Sequence, residues 1–171
     1  FTTEPRCPCT LFGSTAPQYG GNDASLGRGG FLFGWLYDLE LGVRVQVSRT
    51  SSLTAIRYYR DPQETGGHTG RVWSSTGKLL ATATFWYEGR SGWQQATLSS
   101  PLTLSPGQTY TVSVNRNSVY GFTPSALATP VAVGPVATAT GANGVYALDA
   151  GSFPSSASSG SSNYFTDLVV Q

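Results

Sequence analysis

The chain contains no methionine, one histidine and two cysteines among its 171 residues. A lone histidine rules out a metal centre built on several histidines. Charged residues make up only 11%, where about a quarter is usual. Lys and Arg together number 10 against 9 Asp and Glu, a net charge of +1. No basic field exists to neutralise a phosphate backbone, so nucleic acid is not expected as a partner. No apolar run reaches the length of a membrane span, and membrane insertion is not expected. No signal-peptide pattern is seen. A chain that starts at Phe1 and lacks Met reads as a processed chain or a cut fragment. No helical period and no internal repeat occurs.

What is present points to a β protein. Hydrophobic residues reach 39% and aromatics 12%, enough to offset the entropy of ordering the chain. The length suits one domain with a sizeable core. Low charge with abundant Gly, Ser and Thr suits a neutral extracellular surface. Leu41, Val43, Val45 and Val47 alternate with Gly42, Arg44, Gln46 and Ser48, the mark of a half-buried strand. Leu79, Ala81, Ala83, Phe85 and Tyr87 share one face of another, and Leu80, Thr82, Thr84 and Trp86 the opposite one. Further strands are expected at Phe31–Tyr37, Leu53–Arg60, Arg71–Trp73, Trp93–Leu98, Leu102–Leu104, Thr109–Asn115, Val145–Leu148 and Tyr164–Val170. Residues 117–144 read as one short strand around Tyr120 plus a long loop. Residues 155–162 read as a flexible Ser/Gly tract.

Prolines and paired glycines break residues 1–30, which read as an irregular segment that lies across the surface or leads in from another module. Residues 31–171 then form a single all-β domain. Many short strands without helices predict an antiparallel β-sandwich, jelly-roll-like. Within one chain, Cys7 and Cys9 can pair only with each other. A small disulfide ring is the expectation in an oxidising compartment, with two free thiols or half of an intermolecular metal site as alternatives. Two thiolates alone do not complete a tetrahedral zinc site.

Several segments carry a family resemblance: CPC at 7–9, ELGVRV at 40–45, TAIRYYR at 54–60 and GGHTGRVWSSTGKLLATATF at 66–85. SGWQQATL at 91–98, LSPGQTYTVSV at 104–114, NGVYALDAGSFP at 143–154 and NYFTDLVV at 163–170 complete the set. In their order and spacing the chain resembles an uncharacterised bacterial family, a domain of unknown function found in large secreted proteins. Those proteins often carry bacterial immunoglobulin-like repeats and carbohydrate-active modules. The likeness covers most of the chain from Leu39 on. Trp86-Tyr87 departs from it, standing where the family has small polar residues; residues 119–141 look diverged and the lead-in before Asp38 longer. The resemblance implies a secreted or cell-surface, non-catalytic accessory domain. It brings no known ligand; a polysaccharide or glycan partner is expected from the carbohydrate-active modules that such domains accompany, beside neighbouring domains of the same polypeptide.

Candidate site residues follow from chemistry. Trp86, on a polar sheet face, suits a sugar ring, whose axial C–H groups pack on a π-face. Tyr59 and Arg57 share an outward face that would extend this surface, and Tyr87 and His68 complete the candidate ligand contacts. The structural alternative for Trp86 is cover by a loop such as 117–144. His68, in the turn before Arg71-Val72-Trp73, reads first as a loop imidazole that hydrogen-bonds backbone and fixes that turn. Trp73 and Trp93 read as core. Glu40 and Asp167, from the first clear strand and the last, resemble the acidic pair that holds a structural Ca2+ in carbohydrate-binding jelly rolls, with Asp38 and Asp149 as helpers. The alternative pairs Glu40 with Arg44 or Arg57 and leaves Asp167 capping a loop. For an enzyme, Glu64 and Glu88 are the least implausible carboxylate pair, but no motif raises them above solvated turn residues. No nucleophile elbow accompanies the histidine.

Overall fold

A computed structural model describes residues 6–22, 38–117 and 119–171. These residues form thirteen strands and no helix. All strand pairs are antiparallel and fall into three sheets. The strand expected at Phe31–Tyr37 lies outside the described residues.

The largest sheet runs in the order β12 (Ser156–Ala157), β11 (Gly144–Ala147), β2 (Asp38–Val47), β7 (Tyr110–Asn117), β4 (Thr69–Ser74) and β5 (Leu79–Thr84). A hairpin of β9 (Ala132–Val133) and β10 (Val136–Thr138) adds to β2 through β10. The second sheet is β13 (Thr166–Val170), β3 (Ser51–Arg60) and β6 (Gly92–Leu104). A two-stranded sheet pairs β1 (Tyr19–Asn22) with β8 (Val119–Phe122).

The two larger sheets pack face to face, as the alternation demands. Val43, Val45 and Val47 of β2 join Val112 and Val114 of β7 against Leu53, Ile56 and Tyr58 of β3 and Leu168 and Val170 of β13. Each such aliphatic side chain contributes about 1.5–3 kcal/mol by leaving water. Gly70 lies on the inner face of β4, where a Cβ would stand 2.8 Å from Ile56 Cγ2. The sheets therefore meet too closely there for any side chain.

Several elements differ from their sequence reading. Cys9, Leu11 and Phe12 are buried in the main core, so this part of the lead-in does not lie on the surface. Cys9 exchanges backbone hydrogen bonds with Val170, and its thiol is bonded to that of Cys7. The expected strands at 93–98 and 102–104 are one strand, β6, whose pairing with β3 is irregular between Thr97 and Leu102. Pro101, which has no N–H for the ladder, sits in that irregular stretch. The loop expected after Tyr120 contains the β9–β10 hairpin, and the Ser/Gly tract supplies β12. β5 ends at Thr84, so the alternation read through Tyr87 stops short of it. Leu79, assigned to the dry face, is exposed at the start of that strand.

Candidate ligand-binding surface

The β5–β6 connection carries two adjacent exposed rings. Trp86 is 81% exposed and Tyr87 99%. Thr82 and Thr84 before them are exposed as well. The pair is bracketed by two buried anchors. Phe85 turns inward, donates its N–H to the His68 carbonyl, and meets the Tyr58 ring edge-on at 4.9 Å. Glu88, on the other side, runs into a buried polar network.

His68 organises that network. Its Nε2 lies 2.8 Å from Glu64 Oε1, and its Nδ1 lies 2.8 Å from Glu88 Oε2 and 2.9 Å from the Tyr58 hydroxyl. Tyr58 also donates to Glu88. Arg60 donates to Glu88 Oε2 at 2.9 Å and to the Glu64 carbonyl at 3.0 Å. The Arg116 guanidinium, fully buried, stacks 4.4 Å from the centre of the Tyr58 ring. Burial lowers the Arg116 pKa, and the nearby Glu64 carboxylate is the foremost influence opposing that shift. Burial, and then the hydrogen bond to Glu88, pushes the Tyr58 hydroxyl far above its ordinary pKa. The His68 ring thus contacts carboxylates and a hydroxyl, where the sequence suggested backbone. Glu64 and Glu88 are its two carboxylate partners rather than solvated turn residues.

Tyr59 and Arg57 do face outward, as their alternation with Tyr58 implies, but they meet other groups than Trp86. Tyr59 packs edge-on against Trp93 at 5.8 Å and against Phe165 at 6.4 Å. Arg57 stacks 4.3 Å from the Trp93 ring centre and donates to Asp167 at 3.3 Å and to the Gly13 carbonyl at 2.8 Å. Trp93, read as core, is partly buried on this outer face, and its Nε1 donates to the Thr15 carbonyl. Trp73 is buried on the outer face of the large sheet, where Phe153 covers it at 5.7 Å and Ser113 accepts its Nε1–H.

The two carboxylates read as a calcium pair belong to different sheets and different arginines. Glu40 accepts from Arg71 at 3.0 Å, the Ser113 hydroxyl at 2.6 Å and the Gly151 N–H at 2.7 Å. Asp167 accepts the N–H groups of Leu11, Phe12 and Leu168 at 2.8–3.1 Å, along with Arg57. Burial raises both pKa values; these hydrogen bonds and cations oppose it. Oxygens already turned toward N–H and O–H donors do not fit a Ca2+ ion, which needs six to eight oxygen ligands. Asp38 and Asp149, the supposed helpers, are exposed. Among the described residues no group of three or more His, Cys, Asp or Glu side chains is arranged to hold a metal ion.

Sequence reasoning missed Arg60 and Arg116. Arg116 had a visible signal: it takes the next inward position after Tyr110, Val112 and Val114 on β7.

No curated protein matches the chain at a significant level. A family model for a domain of unknown function, DUF4082, matches residues 36–166. The start of that span agrees with the likeness read from Leu39 onward; the CPC segment lies outside it. The match covers the large-sheet strands, the His68 network and the Trp86–Tyr87 segment, and the chain belongs to the DUF4082 family, whose function is not known.

Proposed function

We propose that this domain is a non-catalytic carbohydrate-binding accessory module of a larger secreted or cell-surface bacterial protein, with a jelly-roll-like sandwich as its frame. One observation carries the reading: Trp86 and Tyr87 are adjacent, exposed, and held between two buried anchors, Phe85 and Glu88. Aromatic rings give a sugar's C–H face a large contact area at little rotamer entropy. A segment fixed at both ends loses less freedom on binding than a free loop. His68 is then a positioning residue, holding Glu88 and through it the paired rings. The non-catalytic part is supported by the Glu64 and Glu88 side chains, 0% and 6% exposed and hydrogen-bonded within the network, unlike the open carboxylate pair of a glycosidase. The Cys7–Cys9 bridge supports an oxidising compartment.

Pull-down on insoluble glycans and tryptophan fluorescence with soluble ones test this. Trp86→Ala and Tyr87→Ala are expected to weaken binding by about tenfold each, with thermal unfolding unchanged. A flat response across a broad panel would favour a spacer whose paired rings dock on a neighbouring domain. Release of reducing ends would overturn the non-catalytic role.

A further inference from the structure

A second feature shares no residue with the Trp86–Tyr87 segment. The outer face of the large sheet holds a cleft of about 300 Å3. Its floor is polar: Arg44 and Gln46 of β2 and Thr111 of β7, with Thr109 and Thr140 beside them. Phe153 forms an aromatic wall. That ring is fixed from behind by Trp73, and by Gly77, where a Cβ would stand only 3.0 Å from it.

Arg44 is the distinctive group. Its Nη1 donates to the Ala142 carbonyl at 3.2 Å and its Nη2 to the Ser155 carbonyl at 3.3 Å. Two of its five N–H donors are thereby engaged, and the guanidinium is held in place. Among the described residues it has no carboxylate partner. No carboxylate lines the cleft either. The lining offers one cation, hydroxyls, an amide and a ring face. A neutral sugar leaves the cation uncompensated, and a bare inorganic anion leaves the hydroxyls and the ring unused.

We propose that this cleft binds a carboxylate-bearing sugar, a hexuronate unit of an acidic polysaccharide. Arg44 receives the carboxylate, the exposed Thr140 hydroxyl and the Gln46–Thr109 pair, joined by a 2.9 Å hydrogen bond, meet the ring hydroxyls, and Phe153 packs against the C–H face. The volume lies at the small end of ligand pockets, about 300–1,000 Å3, which suits a single unit or a chain end. The assignment does not depend on Trp86: a site here survives if the exposed rings prove to be a domain contact.

The test is an NMR titration of the whole chain with trigalacturonate, its methyl ester, a sulfated disaccharide, acetate and inorganic phosphate. Trigalacturonate is expected to shift the Thr111 and Thr140 amides and the Arg44 Nε–H, and esterification to weaken it by about tenfold or more. Arg44→Gln should abolish the shifts. Because that change also frees two loop carbonyls, Gln46→Glu serves as a second variant, setting a carboxylate beside Arg44 and repelling the ligand while the loops stay tied. Binding that persists in both variants would overturn the proposal. So would equal binding of the ester, equal binding of acetate or phosphate, a preference for the sulfated sugar, or shifts confined to residues 85–88.

Discussion

Tyr58 gives the buried network a signature in solution. Its hydroxyl is held above the ordinary value of 10.0 by burial and by Glu88, so the folded protein keeps a proton that the unfolded chain releases. That contribution to stability is complete below the unfolded pKa and is lost as pH rises from there toward the folded one. The expected slope is ~1.4 kcal/mol per pH unit for this one group. Urea unfolding from about pH 10 upward should show it, and Tyr58→Phe should reduce it, leaving the share of Tyr164, whose hydroxyl burial also raises. Asp167 offers a second residue-scale test. Asp167→Ala leaves the N–H groups of Leu11, Phe12 and Leu168 and the Arg57 guanidinium without their acceptor. A loss of about 3–5 kcal/mol in urea melts is expected, and less for Asp167→Asn, which keeps a carbonyl acceptor. At this scale the outward aim of Arg57 and Tyr59 was legible, because period-two alternation against Tyr58 decides it. What they touch was not. Trp93 and Phe165 are brought beside Tyr59 by pairing between strands far apart in sequence.

Among the elements, the contact between β3 and β4 leaves no room for a side chain at Gly70. Gly70→Ala would place a methyl 2.8–3.0 Å from three carbons of Ile56. Overpacking of this kind costs about 1–3 kcal/mol. Ile56→Val removes the Cδ1 methyl that crowds this position. A double-mutant cycle by chemical denaturation should therefore show favourable coupling, with the pair less destabilised than the sum of the single changes. The Cys7–Cys9 bridge closes so short a loop that its reduction should lower stability by only about 1–2 kcal/mol. β5 shows how far an element can be read from a line of residues. The alternation from Leu79 to Phe85 places Ala83 and Phe85 inward, but where pairing with β4 ends at Thr84 no longer follows from side-chain pattern. Tyr87 therefore leaves the face that its spacing assigned to it.

For the whole molecule, the consequence of satisfied carboxylates is an apparent melting temperature indifferent to chelator. Glu40 and Asp167 already face guanidinium, hydroxyl and N–H donors, so excess EDTA should leave thermal unfolding unchanged. A drop would mean a cation stabilising the folded state through oxygens other than these. Glu64 and Glu88 show the same effect of distant assembly. They stand 24 positions apart and looked like turn residues on the line of sequence, yet both end on the ring of His68.

The sequence by itself determined the all-β class, the inward stripes of β2, β3 and β7 and the family, because these depend on local period and on ordered motifs. Only tertiary structure decided which charges are neutralised and where the cleft lies. Burial turns a carboxylate from a solvated group into one that must find a donor, and the donors came from strands and loops remote along the chain. Glu40 met Arg71 and Gly151, Asp167 met Arg57 and the lead-in, and Arg44 met two loop carbonyls at the edge of the cleft.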